Sequence, residues 1–475
     1  MLGRNPRFDF AADLPDLGGL GRVHLIAIGG SGMSAVARVL LARGVPVSGS
    51  DAADTPLLRA LEAEGARVFV GHDPEQVRDA DTVVISSAIR EDNPELAAAR
   101  GAGLLVLHRA QALAATMADS TRAAVAGANG KTTTTSMLTV ALEQAGATPS
   151  FAAGGEIAGL GTNARWSQGS PFVVEADESD SSFLAYRPHV AVVTNVQPDH
   201  LDFYGTFAQV QRAYADFAAS IQPGGLLVAC HDDQGSLALA RRREAGVRVL
   251  TYGVAEGADV RLLDPRSEGM TGLATLQTPE GPHELRLAVP GLHNLQNAAA
   301  AFTAATAGLG QQAERVLAGL AAYAGTGRRF ESRGEARGVR VVDDYAHNGP
   351  KVMALVRTAR DLVGEGRLIV VFQPHLYSRT RDFAEQFAAG LAPADVVVLM
   401  DVYGAREQPM EGVSSELIAT PLRRLAPGTE VLLAPPPEQI PALVAARARA
   451  GDLVLTVGAG DVTRLGPQIL AALGS

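Results

Sequence analysis

A glycine-rich segment that ends in lysine and threonine is the strongest chemical signal in the chain. It reads Gly127-Ala128-Asn129-Gly130-Lys131-Thr132, follows an apolar run and precedes a helix-compatible stretch at residues 133–144. Backbone N–H groups at such a turn attract phosphate, and the lysine and threonine suit the β/γ-phosphates and Mg²⁺. Val125 replaces the first glycine of the usual pattern. However, lysine occurs only at positions 131 and 351 among 41 basic residues, so a compact ammonium is favoured here. We expect a nucleoside triphosphate site.

Carboxylates follow the next predicted strand. Four acidic residues lie within Glu175-Ala176-Asp177-Glu178-Ser179-Asp180, and Asp199-His200 follows the strand after that. Ligands bind at the carboxyl ends of strands in open parallel sheets. One or two carboxylates together with substrate phosphates suit Mg²⁺. These strand ends therefore predict the metal side of the same nucleotide site.

A second glycine turn lies near the N-terminus. Gly29-Gly30-Ser31-Gly32 follows the apolar residues 23–28, and Asp51 ends the next predicted strand. This spacing fits a dinucleotide, or the diphosphate of a uridine or adenine nucleotide. An NAD-dependent oxidoreductase would account for this turn, but it leaves Lys131, Glu175 and His200 unexplained.

The C-terminal third carries paired arginines and histidines at predicted strand ends. The segments are Gly327-Arg328-Arg329, Asp343-Asp344-Tyr345-Ala346-His347 and Gln373-Pro374-His375, with Arg379 close behind. Planar arginine forks recognise phosphate or carboxylate. Histidines at strand ends suit a polar substrate pocket.

Strands that alternate with helices must position these groups. The pattern predicts an α/β protein with parallel sheets, divided at residues 1–113, 114–326 and 327–475. Residues 247–290 alternate in short strands and predict a small antiparallel patch. A length of 475 residues and 47% hydrophobic residues are typical of about three globular domains.

Charge and cysteine content exclude several classes. A net charge of −10 argues against a dedicated nucleic-acid binder. The single cysteine, Cys230, excludes an intramolecular disulfide and a multi-cysteine zinc site. Residues 1–10 contain Asp9 and no apolar core of a signal peptide, and no apolar run is long enough for a membrane span. We expect a cytoplasmic protein with no membrane or nucleic-acid partner.

These motifs together resemble the Mur ligases along nearly the whole chain and in order. Besides the segments above, the resemblance rests on Met33-Ser34, Thr133-Thr134-Thr135, Asn163-Ala164-Arg165, His293-Asn294 and Asn297-Ala298-Ala299-Ala300. It implies a Rossmann-like UDP-binding domain, a central P-loop ATPase-type domain and a C-terminal Rossmann-like domain that binds an amino acid. A monomer or weak homodimer is expected.

The resemblance implies ATP-dependent ligation in peptidoglycan precursor synthesis. In the alanine-adding branch, ATP phosphorylates the lactyl carboxylate of UDP-N-acetylmuramate, L-alanine attacks the acyl phosphate, and ADP and phosphate are released. A recycling ligase that joins a whole tripeptide to the same sugar nucleotide is the alternative within the family.

Roles for individual residues are also implied by the resemblance. The catalytic residues are Lys131, Glu175, His200 and His347, and the Mg²⁺ ligands are Thr132, Glu175 and His200. ATP is bound by Gly127, Asn129, Gly130, Lys131, Thr132, Thr133, Asn294, Asn297, Arg329 and Asp344. The UDP-sugar is bound by Gly29, Gly30, Ser31, Gly32, Met33, Ser50, Asp51, His72, Ser87, Asn163 and Arg165. The amino acid is bound by Tyr345, His347, His375 and Arg379.

Two single positions and one four-residue segment depart from the pattern of the alanine-adding branch. Asn129 stands where histidine is usual, and Leu376 stands where arginine is frequent. Asn348-Gly349-Pro350-Lys351 replaces His-Pro-Thr-Glu. The last two departures lie near the predicted amino-acid pocket.

Overall fold

The computed structural model describes residues 5–242, 244–405 and 407–474. The chain forms two compact units. The first comprises the residues up to Pro265 together with Leu273–Ala288 and Asn294–Ala324. The second comprises Arg266–Gly272, Val289–His293 and the residues from Gly325 onward.

The N-terminal part of the first unit is built on a parallel sheet of five strands. The strands are β1 (Val23–Ile26), β2 (Val47–Asp51), β3 (Arg67–Val70), β4 (Thr82–Ile85) and β5 (Leu105–His108), in the order β3-β2-β1-β4-β5. The helices are α1 (Ser31–Ala42), α2 (Pro56–Ala63), α3 (Pro94–Gly101) and α4 (Arg109–Thr116). Both faces of β1 and β4 are buried, as expected for a parallel sheet with helices on both faces. The glycine turn after β1 therefore lies at the carboxyl edge of the sheet.

The rest of the first unit is built on a larger sheet. Its strands are β6 (Thr121–Ala126), β7 (Ser150–Ile157), β8 (Thr162–Arg165), β9 (Pro171–Glu175), β10 (Val190–Val193), β11 (Leu226–Cys230), β12 (Arg248–Gly253), β13 (Val260–Glu268), β14 (Thr271–Thr278) and β15 (Gly281–Leu287). Its helices are α5 (Lys131–Gln144), α6 (Leu201–Tyr204), α7 (Phe207–Ala219), α8 (Gln234–Arg242), α9 (Leu292–Thr303) and α10 (Ala313–Ala322). The order is β15-β14-β13-β12-β11-β10-β6-β9-β7-β8.

The expectation of a small antiparallel patch at residues 247–290 was wrong in part, since β12 pairs in parallel with β13. These residues form β12 to β15, which extend the same sheet, and β12 pairs in parallel with β11. Two-residue connections join β13 to β14 and β14 to β15, a length that suits antiparallel neighbours. Alternating burial along β14 is typical of a half-buried antiparallel strand, which is why the sequence pattern predicts an antiparallel patch.

The second unit contains a third sheet. Its strands are β16 (Glu331–Ala336), β17 (Val339–Asp344), β18 (Leu368–Phe372), β19 (Val396–Leu399), β20 (Glu430–Leu433) and β21 (Leu453–Val457), in the order β16-β17-β21-β18-β19-β20. Its helices are α11 (Gly349–Val363), α12 (Tyr377–Leu391), α13 (Glu416–Leu425), α14 (Ile440–Ala445) and α15 (Leu465–Gly474). Only the edge strand β16 runs antiparallel among the described strands of this sheet.

The predicted α/β class with three parallel-rich sheets is confirmed. The domain boundaries at residues 113 and 326 remain predictions. Residues 1–4 of the predicted first domain and Ser475 of the predicted third domain lie outside the described residues. Among the described residues, no helix is long and apolar enough to cross a membrane.

Candidate active site

The phosphate-loop geometry depends on two glycines between β6 and α5. Gly127 has a φ of +139°, and a Cβ there would lie 1.9 Å from Thr194 Oγ1. Gly130 precedes the first residue of α5 with a φ of +86°. Side chains at these positions would clash or be strained. The turn therefore presents the N-terminus of α5 at the carboxyl edge of the sheet, the arrangement that attracts phosphate.

Lys131 is held in a compact, mostly buried position. Its Nζ donates to the Gly127 carbonyl at 2.6 Å and to Glu178 Oε1 at 2.9 Å. Burial opposes the ammonium charge, but Glu178, Asp177 and Glu175 outweigh it and hold the pKa of Lys131 above its ordinary value. The lysine therefore stays charged, as phosphate binding requires.

Glu178 is a site residue to which the sequence motifs assign no individual role, although it lies in the acidic run at residues 175–180. The side chain is buried. Burial raises the pKa of its carboxyl group above the ordinary value, against the effect of Lys131. Among the described residues, none donates a hydrogen bond to Glu178 Oε2. The distance from Glu178 Oε1 to His200 Nε2 is 3.8 Å, so the structure brings His200 to this cluster.

Glu175 connects the phosphate loop to β7. Its Oε1 accepts from the Thr132 hydroxyl at 2.9 Å, and its Oε2 accepts from the Gly154 N–H at 2.6 Å. A Cβ on Gly154 would lie 2.7 Å from Glu175 Oε2. Glycine at 154 is therefore what allows the backbone to approach this carboxylate closely.

The donor set fits Mg²⁺. Thr132 and Glu175 supply hard oxygen atoms, and the buried Glu178 Oε2 has unused acceptor capacity among the described residues. The described residues include no group of three or more His, Cys, Asp or Glu arranged around one metal position. Magnesium in nucleotide sites needs only one or two carboxylates because phosphates and water complete its shell.

Residues that follow β10 and a residue of α9 hold the phosphate loop in position. Asn129 donates its N–H to Asn195 Oδ1 at 2.9 Å, and its carbonyl accepts from Thr194 and Asn195. A Cβ on Gly130 would lie 2.6 Å from Asn297 Oδ1, so Asn297 lies against the loop. Thr133, Asn294 and Asn297 are buried.

The predicted UDP-sugar residues gather around the glycine turn after β1. Asp51 Oδ2 accepts from the Gly29 N–H at 3.0 Å. Asn163 donates to the Ser31 carbonyl at 2.9 Å and accepts from Arg38 at 2.8 Å. Gly30 lies near the side chain of Met33, which is buried. The turn is thus held by β2 on one side and by β8 on the other.

Ser87 lies where the acidic run meets the first sheet. Its hydroxyl donates to Asp180, and His108 Nε2 lies 3.1 Å from the same carboxylate. Arg109 binds Asp177 at 2.7 Å, and a Cβ on Gly32 would lie 2.9 Å from Arg109 Nη1. The run that supplies Glu175 and Glu178 therefore also contacts the predicted UDP-sugar residues.

Arg165 is placed differently from Asn163, although both are on β8. Its guanidinium forms an ion pair with Glu143 of α5 and lies over the Phe151 ring at 5.3 Å. These are the contacts that the structure shows for Arg165, and its sugar-binding role remains a prediction.

In the second unit, Asp344 organises the turn that carries the paired arginines. It accepts from the N–H groups of Phe330 and Ala346, each at 2.7 Å. Burial raises the pKa of Asp344 above its ordinary value, although Arg329 acts against it. Arg328 and Arg329 both lie over the Tyr345 ring, at 4.8 and 5.1 Å.

Tyr345, His347 and His375 form a row of rings at the ends of β17 and β18. The centroid of His347 lies 5.1 Å from that of Tyr345 and 5.9 Å from that of His375. His347 Nδ1 lies 2.9 Å from the Tyr345 carbonyl. Burial, Lys351, Arg379 and His375 hold the pKa of His347 well below its ordinary value. His347 is thus a neutral imidazole whose Nδ1 donates, and Nε2 is left as an acceptor.

Tyr403 and Leu376 lie beside this row. The Tyr403 ring stacks on His375 at 5.9 Å, and the Leu376 N–H donates to the Tyr403 carbonyl at 2.9 Å. Leu376 has a φ of +70°, which is unusual for a branched residue. Sequence reasoning did not select Tyr403, because the residues around it match no pattern that indicates a site.

The site combines a lysine-bearing phosphate loop, paired carboxylates and a nucleotide-type glycine turn, as expected of an ATP-dependent ligase. Three domain families match in order: the Mur ligase family catalytic domain at residues 22–121, the Mur ligase middle domain at 125–305 and the Mur ligase glutamate ligase domain at 328–460. The chain belongs to the Mur ligase family.

Individual relatives cover almost the whole chain. The UDP-N-acetylmuramate–L-alanine ligase of Kineococcus radiotolerans is 55% identical over 96% of this chain and 96% of its own length. The protein of the same name from Paenarthrobacter aurescens is 52% identical over 96% and 98%. The crystal structure of the Thermotoga maritima UDP-N-acetylmuramate-alanine ligase is 28% identical, covers 95% of this chain and 98% of its own, and superposes with a TM-score of 0.80.

Proposed function

We propose that the chain joins L-alanine to the lactyl carboxylate of UDP-N-acetylmuramate, with cleavage of ATP to ADP and phosphate, in peptidoglycan precursor synthesis. Relatives that are 55% and 52% identical over 96% of the chain carry the name of this reaction. The observation that carries the proposal is the cluster of Lys131, Glu178 and Glu175 at the phosphate loop. The tripeptide-recycling alternative is not favoured, since those relatives are named for alanine.

The first step forms an acyl phosphate. A carboxylate is a poor electrophile because its leaving group would be oxide, so an oxygen of the lactyl carboxylate attacks the γ-phosphorus and ADP leaves. Both reactants are anionic, and fixed positive charge must offset their repulsion. Lys131 is the charged group placed to do so, since Glu178 and the Gly127 carbonyl hold its ammonium in one position.

Magnesium is proposed as the metal of this step, with Thr132, Glu175 and His200 as the residues that hold it. When bound, it neutralises phosphate charge. The contacts of Glu175 with the Thr132 hydroxyl and the Gly154 N–H hold its carboxylate beside the phosphate loop.

The second step forms the amide. The amine of L-alanine attacks the acyl carbon, a tetrahedral intermediate collapses, and phosphate leaves. The amine must lose protons, and neutral His347 offers Nε2 as an acceptor because Nδ1 donates to the Tyr345 carbonyl. Arg379 supplies positive charge in the same neighbourhood and is proposed to bind the alanine carboxylate, while Tyr345 and His375 flank His347.

The remaining assignments are proposed with this reaction. Residues 1–113 bind the UDP-sugar, residues 114–326 bind ATP and residues 327–475 bind the amino acid. Asn294, Asn297, Arg329 and Asp344 contact the nucleotide. The protein works in the cytoplasm as a monomer or weak homodimer.

The test is ADP release by the full chain with ATP, Mg²⁺ and UDP-N-acetylmuramate, with one acceptor added at a time. L-Alanine should stimulate release most strongly, against glycine, L-serine and the tripeptide L-alanyl-γ-D-glutamyl-meso-diaminopimelate. Mass spectrometry of the product should show one alanine residue added. Preference for the tripeptide would assign the chain to recycling, and release that is independent of every acceptor would contradict the proposal.

A further inference from the structure

A chain of polar side chains runs through the interior of the first sheet to its carboxyl edge. Its central member is Glu95, in the first turn of α3, whose side chain is 0% exposed. The adjacent Leu96 belongs to an apolar cluster with Ile26 and Val83. A carboxylate in such surroundings is costly unless hydrogen bonds compensate for lost water.

Both oxygens of Glu95 have hydrogen-bond partners. Oε1 lies 3.1 Å from His24 Nε2, while Oε2 lies 2.6 Å from the Ser50 hydroxyl and 2.7 Å from His72 Nδ1. At the far end, His24 Nδ1 lies 2.9 Å from the Ser48 hydroxyl. Burial would raise the pKa of Glu95, but His24, Ser50 and His72 together hold it below its ordinary value.

The positions of the protons follow from this geometry. An ionised carboxylate only accepts hydrogen bonds, so His24 Nε2, the Ser50 hydroxyl and His72 Nδ1 must all donate to Glu95. His24 then accepts from Ser48 through Nδ1. For neutral His72, a proton on Nδ1 leaves Nε2 as the acceptor nitrogen.

The exposed end of the chain lies at the predicted nucleotide edge. Ser50 is the second-to-last residue of strand β2, beside Asp51, which accepts from the Gly29 N–H of the glycine turn. His72 follows β3, the neighbouring strand, and its side chain is 24% exposed, whereas those of His24 and Glu95 are 0% exposed. Of the two histidines bound to Glu95, His72 is therefore the one that a ligand can reach.

We propose that Glu95 is a positioning residue for the uridine nucleotide: it fixes His72 with its proton on Nδ1, so that Nε2 accepts a hydrogen bond from an N–H or O–H group of the uridine. The inference rests on the proposed function, since it takes the first sheet as the UDP-sugar site. Glu95 acts only through His72 and Ser50. His24 holds the buried side of the carboxylate.

The binding test uses UDP alone and the full chain. Glu95→Gln should weaken UDP binding in calorimetry by about tenfold or more and raise the KM for UDP-N-acetylmuramate, with the KM for ATP unchanged. Glu62→Gln is the matched control, because Glu62 forms an exposed ion pair with Arg59. Equal UDP affinity in E95Q and the wild-type chain would overturn the inference. Failure of the wild-type chain to bind UDP would instead count against the proposed function.

A second measurement does not use a Glu95 variant. Histidine-selective ¹⁵N labelling of the wild-type chain at pH 8, with His72→Gln to assign the signal, reports which ring nitrogen carries the proton. The proposal expects a proton on Nδ1 and an acceptor shift at Nε2 that moves when UDP is added. A proton on Nε2 of His72 at pH 8 would overturn it, whatever the affinity of E95Q.

Discussion

Lys131 Nζ lies 2.9 Å from Glu178 Oε1 and 2.6 Å from the Gly127 carbonyl. These two contacts hold the ammonium against its own loop and against the acidic run that follows β9. The chain has two lysines among its 41 basic residues, and one of them is used here. The relationship suggests that a small, three-donor cation is required at this position, and not merely a positive charge.

Substitution Lys131→Arg tests that requirement. Arginine keeps the charge, but its planar guanidinium is larger than an ammonium group. It cannot centre its charge where the lysine Nζ lies, 2.6 Å from the Gly127 carbonyl oxygen and 2.9 Å from Glu178 Oε1. We expect kcat for ADP release to fall at least 100-fold, a loss of the size found when one charge-stabilising group is removed. Lys131→Ala should abolish turnover.

Arg424→Lys is the control, since it makes the reverse exchange at an exposed ion pair with Glu385. Calorimetry with UDP should give the same affinity for the wild-type and Lys131 variants, because UDP is proposed to bind the first sheet. If K131R turned over within fivefold of the wild type, the role assigned to Lys131 would be wrong.

Glu175→Gln is predicted to impair catalysis and to raise the Mg²⁺ requirement. The carboxylate accepts from both the Thr132 hydroxyl and the Gly154 N–H, and an amide nitrogen cannot accept from the second of these. Half-maximal ADP release should need several-fold more Mg²⁺, and kcat should fall by about 100-fold or more. An unchanged Mg²⁺ titration curve would remove Glu175 from the metal site. A loss of ATP affinity with no loss of kcat would indicate a binding role alone.

Asn163→Ala is predicted to raise the KM for UDP-N-acetylmuramate about tenfold. The side chain bridges the Ser31 carbonyl and Arg38, and its removal frees the glycine turn from β8. One lost hydrogen bond of about 1.4 kcal/mol corresponds to a tenfold change in affinity. Initial rates at varied sugar nucleotide and at varied ATP provide the measurement. A larger effect on the KM for ATP than on that for the sugar nucleotide would contradict this placement.

Asp452 is predicted to make the second unit sensitive to acid. Its buried carboxylate binds Arg367 Nη2 at 2.7 Å and accepts from the Arg367 and Arg449 N–H groups. Burial alone would raise the pKa of Asp452, but Arg367 and Arg449 hold it below its ordinary value. Because the folded pKa is the lower one, the stabilisation is present above about pH 4 and is lost as the pH falls through the folded pKa.

Asp452→Asn should therefore lower the thermal unfolding midpoint at pH 7, at a cost of about 2 kcal/mol. The difference from the wild type should shrink below pH 4, where the wild-type carboxyl group also becomes protonated. Asp382→Asn serves as the control, because Asp382 forms an ion pair with the neighbouring Arg381 at the surface. A gap between D452N and the wild type that stayed constant down to pH 3 would contradict the linkage.

Local sequence could predict the elements that carry motifs. The largely apolar runs at residues 67–70, 368–372 and 453–457 form β3, β18 and β21, because short apolar segments between turn residues leave few alternatives. The strands β7 and β8 were missed. Their sequences are rich in glycine and polar residues, and they are strands because β9 pairs with β7, which in turn pairs with β8.

Contacts between distant segments could not be predicted from spacing. Glu178 and Lys131 are 47 residues apart, and nothing in the acidic run distinguishes Glu178 from Asp177 or Asp180. Likewise, Asn163 and Arg165 belong to one motif, but the structure places Asn163 at the glycine turn and pairs Arg165 with Glu143. Residues two apart on a strand share a face, so the different partners of Asn163 and Arg165 are set by the elements around β8 and not by their spacing.

The acyl phosphate is the central claim, and isotope transfer tests it most directly. UDP-N-acetylmuramate labelled with ¹⁸O in the lactyl carboxylate would be incubated with ATP, Mg²⁺, L-alanine and the full chain, and the released phosphate examined by mass spectrometry. The account predicts one ¹⁸O in each phosphate, because a carboxylate oxygen bonds to the γ-phosphorus and leaves with it. Amide product accompanied by unlabelled phosphate would contradict the account.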